Sequence, residues 1–390
     1  MAGRLLRALS LPALGLGLLA ACETGQAPPA SPQAALNAYY ETIPDSALPR
    51  APEGKALPGD ATPVTRILVG SCNDEEIASP TLAQVAREEA DLFLMIGDNV
   101  YGDRDGRDYA NNQAELTELR ESFADLAARP EFQAVRAAHP MMTAWDDHDY
   151  GANDAGREFP FKGLAERVHE VFWGLDGEDV GQWPGTYYAR TFGPEGQRVQ
   201  VIMLDTRFFR SPLTASPAPG EPGQERYVPA PAGTHQDMLG SDQWTWLQNQ
   251  LEAPADLRLI VSSIQVVTTD GHGYEHWNNL PAERDRLYGL IEETGAEGVV
   301  FVSGDRHAAF LYRKEGVLPY PVHEITASSL NLSFREETEE RDSAQLGAGY
   351  SKENFGAIDI DWDAREVTLS LHATDGTAVR ETRFEIPGGN

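Results

Sequence analysis

The chain has 390 residues and a formal charge of −30, from 61 acidic against 31 basic side chains. That excess repels polyanions at long range and excludes nucleic acid, or an anionic lipid surface, as the main docking partner. A cleft loaded with cations remains compatible with it, and so does a saline or calcium-containing compartment.

In chain order, Arg4 and Arg7 precede an apolar run from Leu11 to Leu19 that is too short to span a bilayer. Small residues follow, and residues 1–21 are predicted to be a cleaved signal peptide, whose removal makes the charge two units more negative. The ending Leu19-Ala20-Ala21-Cys22 resembles a bacterial lipobox. That implies an acylated Cys22 and a membrane anchor in the cell envelope, on a periplasmic or extracellular face; secretion with an incidental cysteine is the alternative. With Cys22 so used, Cys72 has no partner, and a lone thiol in an oxidising compartment calls for burial or a metal. Residues 22–62, rich in Ala and Pro, read as a tether with loosely packed entry segments, and 63–390 as a single domain.

From there one unit recurs: a short apolar strand, a loop carrying Asp, Asn or His, then an amphipathic helix. Strands are predicted over 66–70, 92–96, 141–144, 199–204, 257–261 and 299–302. Ser79-Pro80 offers an N-cap and a first-turn proline for a helix to Ala90, and further helices are expected near 114–128, 241–252 and 281–294. Ser211 to Gly233, rich in Pro and Gly, reads as a surface loop, a rim or lid. The tail, with strands over 324–328, 357–362, 366–372 and 380–386, reads as antiparallel and as completing a second sheet. The class is α/β.

Ligands in open α/β sheets sit beyond the carboxyl ends of strands. Four strands are followed there by metal-type donors: Gly70-Ser-Cys-Asn73, Gly97-Asp98-Asn-Val-Tyr101, Trp145-Asp-Asp-His-Asp149 and Gly304-Asp305-Arg-His307. A single Gly-Asp after a strand is ordinarily a turn, but four corresponding sites in order point to a mixed hard and borderline metal centre.

Together with Leu204-Asp-Thr-Arg207 and Thr326-Ala-Ser-Ser329, these motifs resemble those of the PhoD-like alkaline phosphatases of the metallophosphoesterase superfamily, in order over roughly residues 64–330. Asp149-Tyr150 stands where many relatives have Glu and an apolar residue, and there is no room for the β-domain that precedes the catalytic domain in longer members. The resemblance implies a four-layer αββα sandwich that hydrolyses phosphate monoesters or diesters with Fe3+ and Ca2+; Zn2+, Mn2+ or Mg2+ are the alternatives. It implies Cys72, Asp98 and Tyr101 as iron ligands, Asp98 bridging two metals, and Asp147, Asp305 and His307 as the remaining ligands. A metal-bound hydroxide is then the expected nucleophile.

His148 is the candidate for contacting phosphate or protonating the leaving alkoxide, with orientation of a ligand as the alternative. Arg207 could grip phosphate bidentately, although a structural pair with Asp205 is the simpler reading. Asn153 and Asp154 could add a calcium ligand or form a turn, and nothing in their spacing assigns His272 or His276. Phospholipid or polymer phosphodiesters are a second substrate class. A non-catalytic metal- or phosphate-binding lipoprotein is the non-enzyme reading, and His148 beside the ligands speaks against it.

Overall fold

Residues 31–106, 108–109, 114–221, 224–269, 271–334 and 342–387 are described by the structure, a computed structural model. The predicted leader and Cys22 lie outside them. No helix among the described residues is long and apolar enough to cross a membrane.

Twelve strands make the two main sheets. They are β1 (Arg66–Gly70), β2 (Leu92–Ile96), β3 (Met141–Ala144), β4 (Tyr188–Phe192), β5 (Val199–Met203), β6 (Leu257–Val261), β7 (Val299–Ser303), β8 (Phe310–Lys314), β9 (Val322–Thr326), β10 (Asn354–Asp361), β11 (Glu366–Ala373) and β12 (Ala378–Glu385). The first sheet runs β12-β11-β10-β1-β2-β3 and the second β8-β9-β7-β6-β5-β4. Each has a parallel centre, β1-β2-β3 in one and β5-β6-β7-β9 in the other, closed by antiparallel partners. Parallel strands are covered on both faces, which explains why β2, β5, β6 and β7 are buried at every position and apolar at all but Gln200, Arg258 and Ser303.

Alternation sorts their side chains into three layers. Ile67, Val69, Leu94, Val201, Leu259 and Val302 meet between the sheets. Leu68, Phe93 and Met95 turn outward under helices Thr117–Ala128, Pro130–Ala138 and Lys162–Trp173. Ile202, Ile260 and Phe301 turn outward under Gly240–Glu252 and Pro281–Glu293. The result is the expected αββα sandwich.

Several expectations need correction. Strands β10 to β12 extend the first sheet through antiparallel pairing of β10 with β1, rather than completing the second. Their alternating apolar residues mark a buried face but not the edge that receives it. Strand β9 lies parallel to β7, not antiparallel, and the antiparallel partner it does have, β8, gave no signal in the sequence. The helix after Ser79 ends at Val85, not Ala90. Beyond it Asp91 accepts from the backbone N–H groups of Thr65 (2.7 Å) and Arg66 (3.1 Å), a contact a continued helix would not reach.

The tether boundary at 62 is too late. Pro32–Tyr40 is a helix capped by Ser31, and Tyr40 and Leu48 are buried against the outer helices of the first sheet. Within 211–233, Thr214–Ala215 pairs with Tyr227–Val228, so this loop is a short hairpin at the rim.

Leu259, wholly buried between the sheets, tests the packing. Leu259→Ala is expected to lower unfolding free energy by about 2–5 kcal/mol in urea titrations, with the β-sheet signal retained below the transition.

Candidate metal centre

The two sheets meet along one seam at the carboxyl ends of their parallel strands. Ser71, just after β1, forms an isolated bridge with Ser328 after β9, and Leu330 N–H donates to the Ser71 carbonyl at 2.8 Å. This stitch brings donors from opposite sheets together. Cys72 Sγ lies 3.0 Å from Ser328 Oγ and 3.5 Å from Asp98 Oδ2, and the Ser328 hydroxyl also accepts from His307 N–H at 2.7 Å. Tyr101 OH reaches Asp98 Oδ2 at 3.3 Å and His307 Nε2 at 3.2 Å.

Unusual backbone conformations hold these residues. Cys72, Asp98, Asp305 and His307 have φ of 56°, 48°, 64° and 50°, in the left-handed region that costs a side-chain-bearing residue about 1–2 kcal/mol. Gly97, at φ 106°, is needed for a second reason: a Cβ there would stand 2.6 Å from Asp146 Cβ. The loops after β2 and β3 approach too closely for any other residue.

Asp149 ties those same loops. Its carboxylate accepts from Asn99 Nδ2 (2.9 Å), Val100 N–H (3.0 Å) and Asp146 N–H (3.0 Å). Asp149 is thus a strut between ligand loops.

Among the described residues the donors form four overlapping groups, three of which share Asp98; two of the four are Asp98 with Asp147 and His148, and Asp147 with Asp154 and Glu275. Ligand atoms of Cys72, Asp98 and His307 lie within 4.8 Å of one another, as do those of Asp98, Asp146, Asp147 and Asp305. Tyr101 OH adds a phenol to the Cys72 set. Burial, followed by the charges of neighbouring carboxylates, pushes Asp98 and Asp305 well above the usual range. Burial also raises the Cys72 thiol to about 11 and lowers the His307 imidazole to about 3, leaving it neutral and able to donate its lone pair. Asp98 Oδ1 and Asp146 Oδ2 are buried with no hydrogen-bond donor among the described residues. Cations are the groups these residues fit: they would satisfy the orphaned oxygens, cancel the mutual repulsion and deprotonate the thiol.

All six residues expected to bind metal therefore converge. Asp146 joins them unforeseen; the Asp146-Asp147 doublet was its signal, and only the second carboxylate was singled out.

His148, in the cavity wall, lies 2.6 Å through Nδ1 from Asp103 Oδ1, leaving Nε2 as the nitrogen open to the cavity. Burial opposes its charge, but Asp147 and Asp103 outweigh that and raise it to about 9. Asp103 was not anticipated; it lies two residues past Tyr101 and carries no motif. Its other oxygen accepts from Asn153 N–H at 2.7 Å.

Arg207 takes neither role considered from the sequence. Asp205 accepts from the backbone N–H of Arg207 at 2.8 Å, while the guanidinium, fully buried, pairs with Asp146 and, at 2.6 Å, with Glu275. Arg210 closes the chain on the other Glu275 oxygen at 2.5 Å. Arg207 lies behind the ligands and positions Asp146 rather than facing the cavity.

Asp154 accepts from Arg226 (2.6 Å) and Tyr227 OH (2.8 Å), and its N–H donates to Asp147 Oδ2 at 2.7 Å. His272 accepts at Nδ1 from Tyr274 N–H (3.2 Å) and so donates through Nε2 to Gln265 Oε1 (3.0 Å); His276 donates to the Tyr274 carbonyl at 2.8 Å. Both fix the segment bearing Tyr274 and Glu275. The cavity, of about 170 Å³, has Tyr101, Asp147, Asp305 and His307 in its lining.

A two-sheet sandwich with a shared-carboxylate donor site at its seam defines a class of metal-centred α/β proteins. A family model described as PhoD-like phosphatase matches residues 67–158 and 186–371, and the chain belongs to that family. It is 25% identical over 294 residues to alkaline phosphatase D of Bacillus subtilis (strain 168), covering 67% of this chain and 49% of that protein. The chain thus spans about half the length of this curated relative. A solved structure described as "Structure of PhoD" superposes with a TM-score of 0.63 at 17% identity, over 84% of this chain and 71% of that one, and supports the fold.

If Arg207 acts by position, Arg207→Met strands the Asp146 and Glu275 carboxylates. Unfolding free energy in denaturant is expected to fall by about 3–5 kcal/mol. An arginine that only gripped phosphate would leave stability unchanged.

Proposed function

We propose that this protein hydrolyses phosphate esters at a multinuclear metal centre, with Cys72, Asp98, Tyr101 and His307 holding a trivalent iron and Asp98, Asp146, Asp147 and Asp305 holding calcium. The observation that carries the reading is Asp98, which belongs to both donor sets and can bridge two ions. Thiolate and phenolate donors suit iron, and an all-carboxylate set suits a hard divalent ion. When bound, such ions would polarise the phosphoryl oxygens and would supply hydroxide from water in place of a side-chain nucleophile.

The chain's own groups do the rest. Asp103 holds His148 at Nδ1, so Nε2 can contact the phosphate or pass a proton to the departing alkoxide. Arg207 and Ser263 each hold Asp146 Oδ1 at 2.6 Å and thereby fix the position of Oδ2. The diester reading uses the same centre and differs at the rim. Amino-terminal residues Leu19 to Cys22 support tethering by a lipid on Cys22, with the domain in the cell envelope.

A soluble form beginning after Cys22, supplied with iron and calcium, is expected to hydrolyse a chromogenic phosphate monoester or the matching diester, and Asp98→Ala to abolish it. Equal inertness of both proteins would sink the hydrolase reading in favour of a binding lipoprotein. Asp103→Asn should lower kcat by about 10- to 100-fold with KM little changed, since it loosens His148 without removing a ligand.

A further inference from the structure

Three guanidiniums from separate segments are in the lining of the same cavity: Arg104 of the hairpin after Tyr101, Arg226 of the 211–233 segment and Arg306, itself almost wholly buried, of the β7 loop. Aromatic faces position them. Arg104 Cζ lies 5.3 Å from the Tyr101 ring centroid, and Arg306 and Arg226 lie 4.8 Å and 5.9 Å from that of Tyr274. Cation–π contacts hold a guanidinium plane without using its N–H donors, which stay directed to other groups.

The acids beside them are already engaged. Asp154 pairs with Arg226 at 2.6 Å, and Glu275 is held by Arg207 at 2.6 Å and Arg210 at 2.5 Å. Arg104 makes no ion pair among the described residues. In a chain of charge −30, these three arginines bring positive charge to a lining that also holds Asp147, Asp154, Glu275 and Asp305, and of those acids Asp154 and Glu275 are already paired. The scissile phosphoryl belongs on the floor with the candidate ligands. On the hydrolase reading the arginines, elsewhere in the same lining, are left to meet the alcohol.

We infer that Arg104, Arg226 and Arg306 form a subsite for a second anion on the leaving group. The substrate class is then an organic phosphate ester whose alcohol carries its own phosphate or carboxylate. This rests on the hydrolase reading above and adds the nature of the leaving group.

The test compares 4-carboxyphenyl phosphate with its uncharged isostere 4-carbamoylphenyl phosphate, using the full domain loaded with iron and calcium. One charge-assisted contact corresponds to about a tenfold higher kcat/KM for the carboxylate at low salt, falling as KCl screens it. Arg104→Gln, at a half-buried site, and Arg306→Gln, with folding checked by thermal melts, should each cut that ratio severalfold. Hydrolysis of both esters at a ratio of one or less overturns the subsite and leaves the hydrolase standing. A preference that survives both substitutions and added salt also overturns it. Hydrolysis of neither ester overturns the subsite, and the hydrolase reading falls with it only where the chromogenic diester is inert as well.

Discussion

Carboxylate repulsion at the seam is the constraint around which the molecule is arranged. Asp98, Asp146, Asp147 and Asp305 offer oxygens within 4.8 Å of one another, and at an effective dielectric constant near 20 each charged pair at that distance costs on the order of 3 kcal/mol. No packing of apolar side chains removes such a term. It is met by counter-charge, and the protein supplies that from behind through Arg207, which pairs with Asp146 and Glu275. Asp98 Oδ1 and Asp146 Oδ2 are left without a donor among the described residues. The same imbalance gives the site both its affinity for metal and its dependence on a rigid frame.

That frame is divided between the sheets. Cys72, Asp98, Tyr101, Asp147 and His148 follow β1 to β3, whereas Asp305 and His307 follow β7. The Ser71–Ser328 bridge and the Cys72–Ser328 contact are where the halves register. A shift between sheets would separate His307 from Tyr101 while leaving each half's hydrogen bonds intact. Ligand geometry is therefore a property of sheet docking, and the buried layer of Val69, Val201 and Leu259 serves the site as well as stability.

How much of this could be read from the sequence follows the range of each interaction. Strand-end donors were legible because the sheet places successive loops at one edge, so chain order and spatial neighbourhood coincide. That rule gave the four donor-bearing loops; the six expected ligands within them came from the resemblance to the PhoD-like phosphatases. Strands β4 and β8 were missed because Arg190 in one and Arg313-Lys314 in the other interrupt the apolar pattern that marks a strand in the sequence. The sheet that receives β10 was illegible for another reason: a strand of alternating apolar residues fits either edge. Asp103, Arg207 and Glu275 owe their roles to partners 45, 61 and 68 residues away, separations at which local pattern holds no information.

The acidity of the chain first argued only about what the protein avoids. Beside the cavity it has a second consequence. An anionic surface raises the free energy of any phosphate ester approaching it, and the penalty grows with each charge the ester carries. On the proposed reading, cations held at the floor would offset this for the phosphoryl group, but at ionic strengths near 0.15 M their influence is screened over about 8 Å. On that reading a distal anion on the alcohol meets the rest of the lining, where only side chains can answer it. Aromatic-held arginines suit that position because Tyr101 and Tyr274 fix their planes at a small entropic cost, whereas lysines of equal charge would remain mobile. The arginines thus do for the leaving group what the ligand cluster does for the phosphoryl group: each places fixed opposite charge where the substrate's own charge would otherwise be repelled.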